Sequence, residues 1–270
     1  MLVAETVSVE FGRRQVLERV SFQARPAAVT AIVGPNGSGK TTLLRCLAGE
    51  LSHQGQVYLN GRALSALRPA EQASWRAVLP QSGQVAFPFT VFELVRLGLG
   101  AGLSRHIAEQ GAEGTGPLGI VEAAIRRVGL AGYGGRLVQE LSGGERQRAQ
   151  LARVLAQIWH PMHEGQPRWL LLDEPVSALD IGHQLSIMQI ARDFADAGGG
   201  VVAVMHDLNL TSMFADQIAL MSQGRIYRQG PPQAVLTDGD LSACYGCPLR
   251  INTAPQDGRP WLLPQTARDR

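Results

Sequence analysis

The run Gly34-Pro35-Asn36-Gly37-Ser38-Gly39-Lys40-Thr41 fits the pattern G-x-x-x-x-G-K-[ST], a loop suited to holding phosphate. Its glycines free the backbone amides of Gly37, Gly39 and Lys40 to turn inward, and a helix opening through Thr42 adds bare amides and the positive end of its dipole. The Lys40 ammonium reaches for the terminal phosphates, and the Thr41 hydroxyl is a hard oxygen for Mg²⁺. A nucleoside triphosphate is the ligand this set implies. Far along the chain, Asp173-Glu174 ends an apolar run: Asp173 is placed to hold the cation and Glu174 to take a proton from an attacking water. Gln81 and His206 also follow apolar runs and bring polar groups with possible chemistry to strand ends.

Four apolar runs must position these groups: residues 29–33, 77–79, 169–172 and 201–205, each followed by a residue with chemistry. Alternation of such runs with helical patterns implies a mostly parallel sheet covered by helices. In open α/β sheets ligands bind at the carboxyl ends of the strands, so one rule gathers four distant segments into one site.

Composition narrows the class. A 270-residue chain is long enough to bury a full core, and a net charge of +2 with scattered Lys and Arg makes no case for a nucleic-acid partner. The first seven residues have an early acid and no charged-then-apolar leader, so no signal peptide is expected. The most apolar long window, residues 85–103, is broken by Pro88, Glu93 and Arg96, unlike a spanning helix. Three cysteines, Cys46, Cys244 and Cys247, are too few for a disulfide framework and suit a reducing cytoplasm. Cys244-Tyr245-Gly246-Cys247 has metal-type spacing but no second pair to complete a zinc site, so ordinary thiols are expected.

Between Gln81 and residue 169 the chain is helical and glycine-rich, clearest at residues 121–128 and 149–156, and too long for a plain crossover. An inserted helical subdomain over about residues 83–158 is expected. Within it, Ser142 is placed to cap a helix while Glu145 returns a bond to the cap, and Gly143 and Gly144 keep the first amides bare. This is a second anion-ready helix start. One nucleotide does not need two, unless the second serves a nucleotide held by another copy of the chain.

From about residue 2 to 236 the sequence resembles the ATP-binding cassette family. Phe11 fits the aromatic that stacks on adenine, residues 34–42 the Walker A loop and Gln81 the Q-loop. Residues 141–147 fit the signature, 170–173 the Walker B strand, 177–180 the D-loop with Asp180, and His206 the switch histidine. Val176 departs from the family's usual threonine. The resemblance implies a P-loop NTPase (RecA-like) core with a mostly parallel sheet, an antiparallel β portion near the N-terminus and the inserted helical subdomain. It also implies ATP and Mg²⁺, and a head-to-tail homodimer in which Ser142, Gly143 and Gly144 of one chain close on the nucleotide of the other. Residues 1–240 would form the ATPase domain and 241–270 a C-terminal tail of little periodicity, which either packs on the core near Tyr245 and Trp261 or trails.

With no spanning helix, a transport motor must grip a separate membrane permease dimer. Phe87, Phe89 and Phe92, three of the seven phenylalanines, are candidates either for the groove that receives it or for the core of the subdomain. The stretch after Gln81, the helix end at 153–159 and the polar loop before Trp169 are most similar to ATP-binding subunits of bacterial haemin importers; ferric siderophore and cobalamin importers are close relatives. That likeness implies a peripheral place on the cytoplasmic face of the inner membrane and an indirect partner in a periplasmic binding protein. His160 and His163 are expected to be solvated loop residues.

Overall fold

A computed structural model describes residues 1–81, 87–102, 116–177, 179–254, 260 and 262–266. Strand β1 (Leu2–Phe11) turns through Gly12, at φ 62°, into β2 (Arg14–Ala24), and the two pair antiparallel. Leu2, Ala4, Val7 and Val9 are buried on β1; the inward phase slips between Ala4 and Val7, where the register shifts and Thr6 sits at φ 50°. The strand carrying Phe11 is ten residues long.

Next come β3 (Ala28–Val33), α1 (Lys40–Leu47), β4 (Gln54–Leu59), β5 (Arg62–Ala63), α2 (Pro69–Trp75) and β6 (Arg76–Leu79). The helical insertion follows as α3 (Val91–Gly102), α4 (Pro117–Arg127) and α5 (Gly143–Gln157). The expected helices at 121–128 and 149–156 fall largely in α4 and within α5. Pro117 pre-sets the first turn of α4, and Ser142 starts α5. The polar loop before Trp169 contains a small hairpin, β7 (Met162–His163) with β8 (Gln166–Pro167). The chain then returns through β9 (Trp169–Asp173), α6 (Ile181–Asp196), β10 (Gly200–Val204), α7 (Leu208–Phe214), β11 (Gln217–Ser222), β12 (Arg225–Gly230), α8 (Pro232–Val235) and α9 (Asp238–Tyr245).

A six-stranded sheet, ordered β12-β11-β3-β10-β9-β6, is parallel except for the β11–β12 pair; a second, antiparallel sheet runs β2-β1-β4-β5. The four apolar runs are its β3, β6, β9 and β10. Because side chains alternate along a strand, each central strand feeds two cores. Val29, Ala31, Val33, Leu170, Leu172, Val201 and Ala203 pack with α3 to α6, while Ile32, Trp169, Leu171, Val202 and Val204 pack with α1 and the antiparallel sheet. Trp169 Nε1 donates to Asn60 Oδ1 at 2.9 Å, so the largest buried side chain also satisfies its one polar atom. In the insertion α3 crosses α5 closely: a Cβ on Gly98 would stand 2.1 Å from the Arg153 carbonyl oxygen.

The boundary expected at 240/241 falls inside α9, whose Leu241 and Cys244 are buried. Beyond it, Gln265 Nε2 donates to Asn209 O and Ser212 Oγ on α7, at 3.1 and 3.2 Å. Tyr245 packs on the main core, while Trp261 lies outside the described residues. Cys46 is fully buried, with its thiol pushed up to about 12 by burial, and Cys247 is exposed. His160 is exposed as expected, but His163 is half-buried, its ring 5.2 Å from that of Trp75.

Candidate active site

The phosphate loop joins β3 to α1, and its glycines are demanded by neighbours as well as by any ligand. A Cβ on Gly34, at φ 146°, would lie 2.1 Å from the Met221 carbonyl oxygen; one on Gly39, at φ 100°, would lie 2.7 Å from Leu17 Cδ2. Gly39 is also the N-cap of α1 and offers no side-chain bond, so the first amides of the helix stay bare. Lys40 is buried, with Nζ donating to Gly34 O at 2.9 Å and Pro35 O at 3.0 Å. Burial lowers its pKa, opposed by the charges of Glu174 and Asp173. Ser38 Oγ is buried without a partner among the described residues. Burial raises the Tyr245 phenol of α9 above its ordinary pKa, and the nearby Gly34 backbone of this loop opposes the rise.

At the end of β9 the Asp173 Oδ1 accepts from Thr41 Oγ1 at 3.0 Å. Burial pushes Asp173 above the ordinary carboxylate range, against the Thr41 bond and the charges of His206 and Lys40. These two hard oxygens fit a divalent cation. Among the described residues no cluster of three His, Cys, Asp or Glu is placed to hold a metal, so the donor set suits an ion that keeps most of its ligands as water and phosphate, as Mg²⁺ does.

Glu174 follows in a turn at φ 51°, a conformation non-glycine residues adopt only when held. Its Oε1 lies 2.5 Å from His206 Nε2, which β10 delivers. Its amide donates to Val204 O at 3.2 Å, and its carbonyl accepts from Gln147 Nε2 at 3.1 Å and Ser177 Oγ at 3.2 Å. A carboxylate so oriented, beside an imidazole and facing the loop, is equipped to take a proton from water.

A cleft of about 820 Å³ opens over these groups, and Asn36, Gly37, Gly39, Lys40, Thr41, Thr42, Gln81, Glu174 and His206 line it. Gly34, Pro35 and Ser38 lie in the loop behind that wall, and Asp173 is reached through Thr41. Phe11 does not line the cleft: it is 51% exposed near the hairpin turn, and the same hairpin presents Arg14 and Val16 to the cleft instead. Ser142, Gly143 and Gly144 also lie off it. Ser142 makes the anticipated capping box, accepting from Glu145 N at 3.2 Å and donating its own amide to Glu145 Oε2 at 2.8 Å. Asp180 is spent on capping α6, accepting from His183 N at 2.9 Å.

Sequence reasoning missed Arg14, Val16, Gln184 and Asp207 on the cleft wall. Alternation along β2 puts residues 14 and 16 on one face, the one signal that pointed to the pair. Gln184 donates to Val176 O and Leu179 O, strapping the turn after Glu174 to α6; Val176 serves there through its carbonyl, which a threonine would also supply. Ala178 lies outside the described residues.

The family model described as ABC transporter matches residues 17–177. The hemin import ATP-binding protein HmuV of Ruegeria sp. (strain TM1040) is 56% identical over 267 residues, 99% of each chain. The proteins of that name from Rhizobium meliloti (strain 1021) and Jannaschia sp. (strain CCS1) are 55% and 54% identical over 268 residues, covering 99% of this chain and 99% and 96% of their own. Among solved structures, a nucleotide-free ATP-binding cassette from an ABC transporter superposes with a TM-score of 0.76 at 24% identity, over 91% of this chain and 98% of that one. A dimeric bacterial ABC transporter cassette gives 0.72 at 24%, over 86% and 99%. The family match and the full-length relatives place the chain in the ABC transporter family.

Proposed function

We propose that this chain is the ATP-hydrolysing motor subunit of a bacterial haemin importer. The observation that carries the cargo is the likeness to hemin import ATP-binding proteins along 99% of the chain, including the tail beyond the matched family region. A motor shaped for one permease inherits that permease's substrate.

In this reading the loop amides and Lys40 hold the phosphates of ATP, and Thr41, Asp173 and Gln81 hold Mg²⁺, which neutralises charge on the transferring phosphoryl group. Glu174 accepts the proton of the attacking water, and His206 fixes the direction of that carboxylate across their 2.5 Å contact. Phe11 stacks on adenine from the hairpin, beside Arg14 and Val16. Two chains pair head to tail, so that Ser142, Gly143 and Gly144 of each, with Asp180, close on the nucleotide of the other. The ATPase domain, with the insertion at about 83–158, extends through α9, and the segment beyond it braces the domain through the bonds of Gln265 to α7.

No described helix is long and apolar enough to cross a membrane. The motor therefore works peripherally, on the cytoplasmic face of the inner membrane, against a permease dimer fed by a periplasmic binding protein. The phenylalanines divide: Phe89 and Phe92 pack against the subdomain core, while Phe87 is 67% exposed and Leu97 on α3 is 53% exposed, and these two are the residues offered to the permease. Residues 82–86, between Gln81 and Phe87, lie outside the described residues.

The test is ATPase of the assembled importer in vesicles. Haem-loaded binding protein stimulates it in this reading; stimulation by ferrisiderophore- or cobalamin-loaded binding protein with haem inert overturns the cargo and leaves the motor standing.

A further inference from the structure

Glu174 holds a backbone conformation, φ 51°, that its own side chain does not favour. What holds it is countable among the described residues. The Val204 carbonyl takes its amide, Ser177 donates to its carbonyl from Oγ at 3.2 Å and from N at 3.4 Å, and Gln147 Nε2 donates to the same carbonyl at 3.1 Å. Val204 belongs to the sheet and Ser177 to the same turn. Gln147 comes from elsewhere: it lies one turn into α5, the helix that starts at Ser142, Gly143 and Gly144.

Two features mark this contact as more than incidental packing. Gln147 Oε1 is buried with no partner among the described residues, so the side chain gives up one hydrogen bond while its Nε2 keeps the bond to Glu174. The helix carrying it is fixed at its start by the reciprocal Ser142–Glu145 bonds, with Tyr133 Oη donating to Glu145 Oε1 at 3.0 Å, so its first turn moves as a unit.

We propose that Gln147 is a positioning residue for hydrolysis: it ties the backbone of Glu174 to the helix start that serves the nucleotide of the other chain, so that docking at one composite site sets the base of the next. This rests on Glu174 being the base and on the head-to-tail pairing proposed above. A small displacement of the first turn of α5 then moves the Glu174 carbonyl, and with it the carboxylate whose contact with His206 spans 2.5 Å. Lys40 and Thr41 are untouched, so ATP binding is not the step that responds.

The experiment compares wild type with Gln147→Met, which keeps the length and removes the donor, Gln147→Glu, which keeps the shape and only accepts, and Gln147→Lys, which restores a donor. Steady-state ATPase, KM for ATP and Tm are read for each, with Glu174→Gln as control. The Met and Glu variants are expected to lose about tenfold or more in kcat with KM and Tm close to wild type, and the Lys variant to recover most of the loss. A kcat for Gln147→Met within about twofold of wild type overturns the proposal. So does an equal loss in all three variants accompanied by a lowered Tm, which marks the residue as structural. Activity surviving in Glu174→Gln overturns the assignment of the base itself, a result that differs from either of the others.

Discussion

Two helices of this chain begin in glycine-rich segments, and they begin differently. The start of α1 has Gly39 at its N-cap in a left-handed conformation, makes no side-chain cap bond, and opens onto a cleft with Lys40, Thr41, Glu174 and His206 around it. The start of α5 is closed by Ser142 and Glu145; hydrogen bonds from Ser142 and Tyr133 hold the Glu145 carboxyl below its ordinary range, and no residue of that start borders the cleft. An uncapped start leaves its amides for a ligand and depends on neighbours to hold its shape, as Met221 and Leu17 crowd Gly34 and Gly39. A capped start is rigid before any ligand arrives and presents only its first amides, Gly143 and Gly144. On the proposed reading, one start receives phosphate and the other is presented to it.

The largest effect that separates the two follows from removing the charge at α1. Lys40→Ala deletes a buried ammonium and its bonds across the loop, and ATP affinity is expected to fall by about 1.5–3 kcal/mol, with hydrolysis abolished. Nucleotide titration of the variant checks it; near-native affinity would detach the loop from binding. Phe11→Ala is expected to weaken ATP by about 1–3 kcal/mol at unchanged kcat if the exposed ring is the base platform. An unchanged KM in that variant transfers the base contact to Arg14 and Val16, which already line the cleft. The smallest effect lies at α5: Ser142→Ala removes one cap bond and is expected to lower stability by about 1 kcal/mol in thermal unfolding while ATP affinity of the single chain stays put. A fall in that affinity would mean that the second start already serves its own chain.

Much of this was legible in the residues. Parallel strands buried on both faces read as apolar runs, so β3, β6, β9 and β10, and the groups at their ends, stood out. The Ser142-x-x-Glu145 spacing spelled its capping box. What escaped depends on long-range geometry. Gln147 closes the signature match at 141–147, but its bond to the Glu174 carbonyl, like those of Gln184 to Val176 and Leu179, is made only by the fold. The positive φ at Glu174 leaves no trace in sequence, since a glutamate, unlike a glycine, does not signal that conformation. The hairpin between residues 162 and 167 is too short for alternation to register. Helix α9 escaped because its buried Leu241 and Cys244 stand among Asp238, Gly239, Asp240 and Ser242, which carry no apolar stripe.

The measurement that bears most directly on the two starts is ATP-dependent dimerisation in a chain that cannot complete hydrolysis. Glu174→Gln leaves the loop, Lys40 and Ser142 intact, and sedimentation with ATP and Mg²⁺ is expected to show a dimer that reverts to monomer when the cation is chelated. Adding Ser142→Arg to that chain places a bulky cation at the start of α5, so the double variant is expected to bind ATP with the affinity of the single variant and to remain monomeric. A double variant that still dimerises on ATP, or a wild-type monomer that hydrolyses at full rate at high dilution, would contradict the claim that the second start belongs to the other chain's nucleotide.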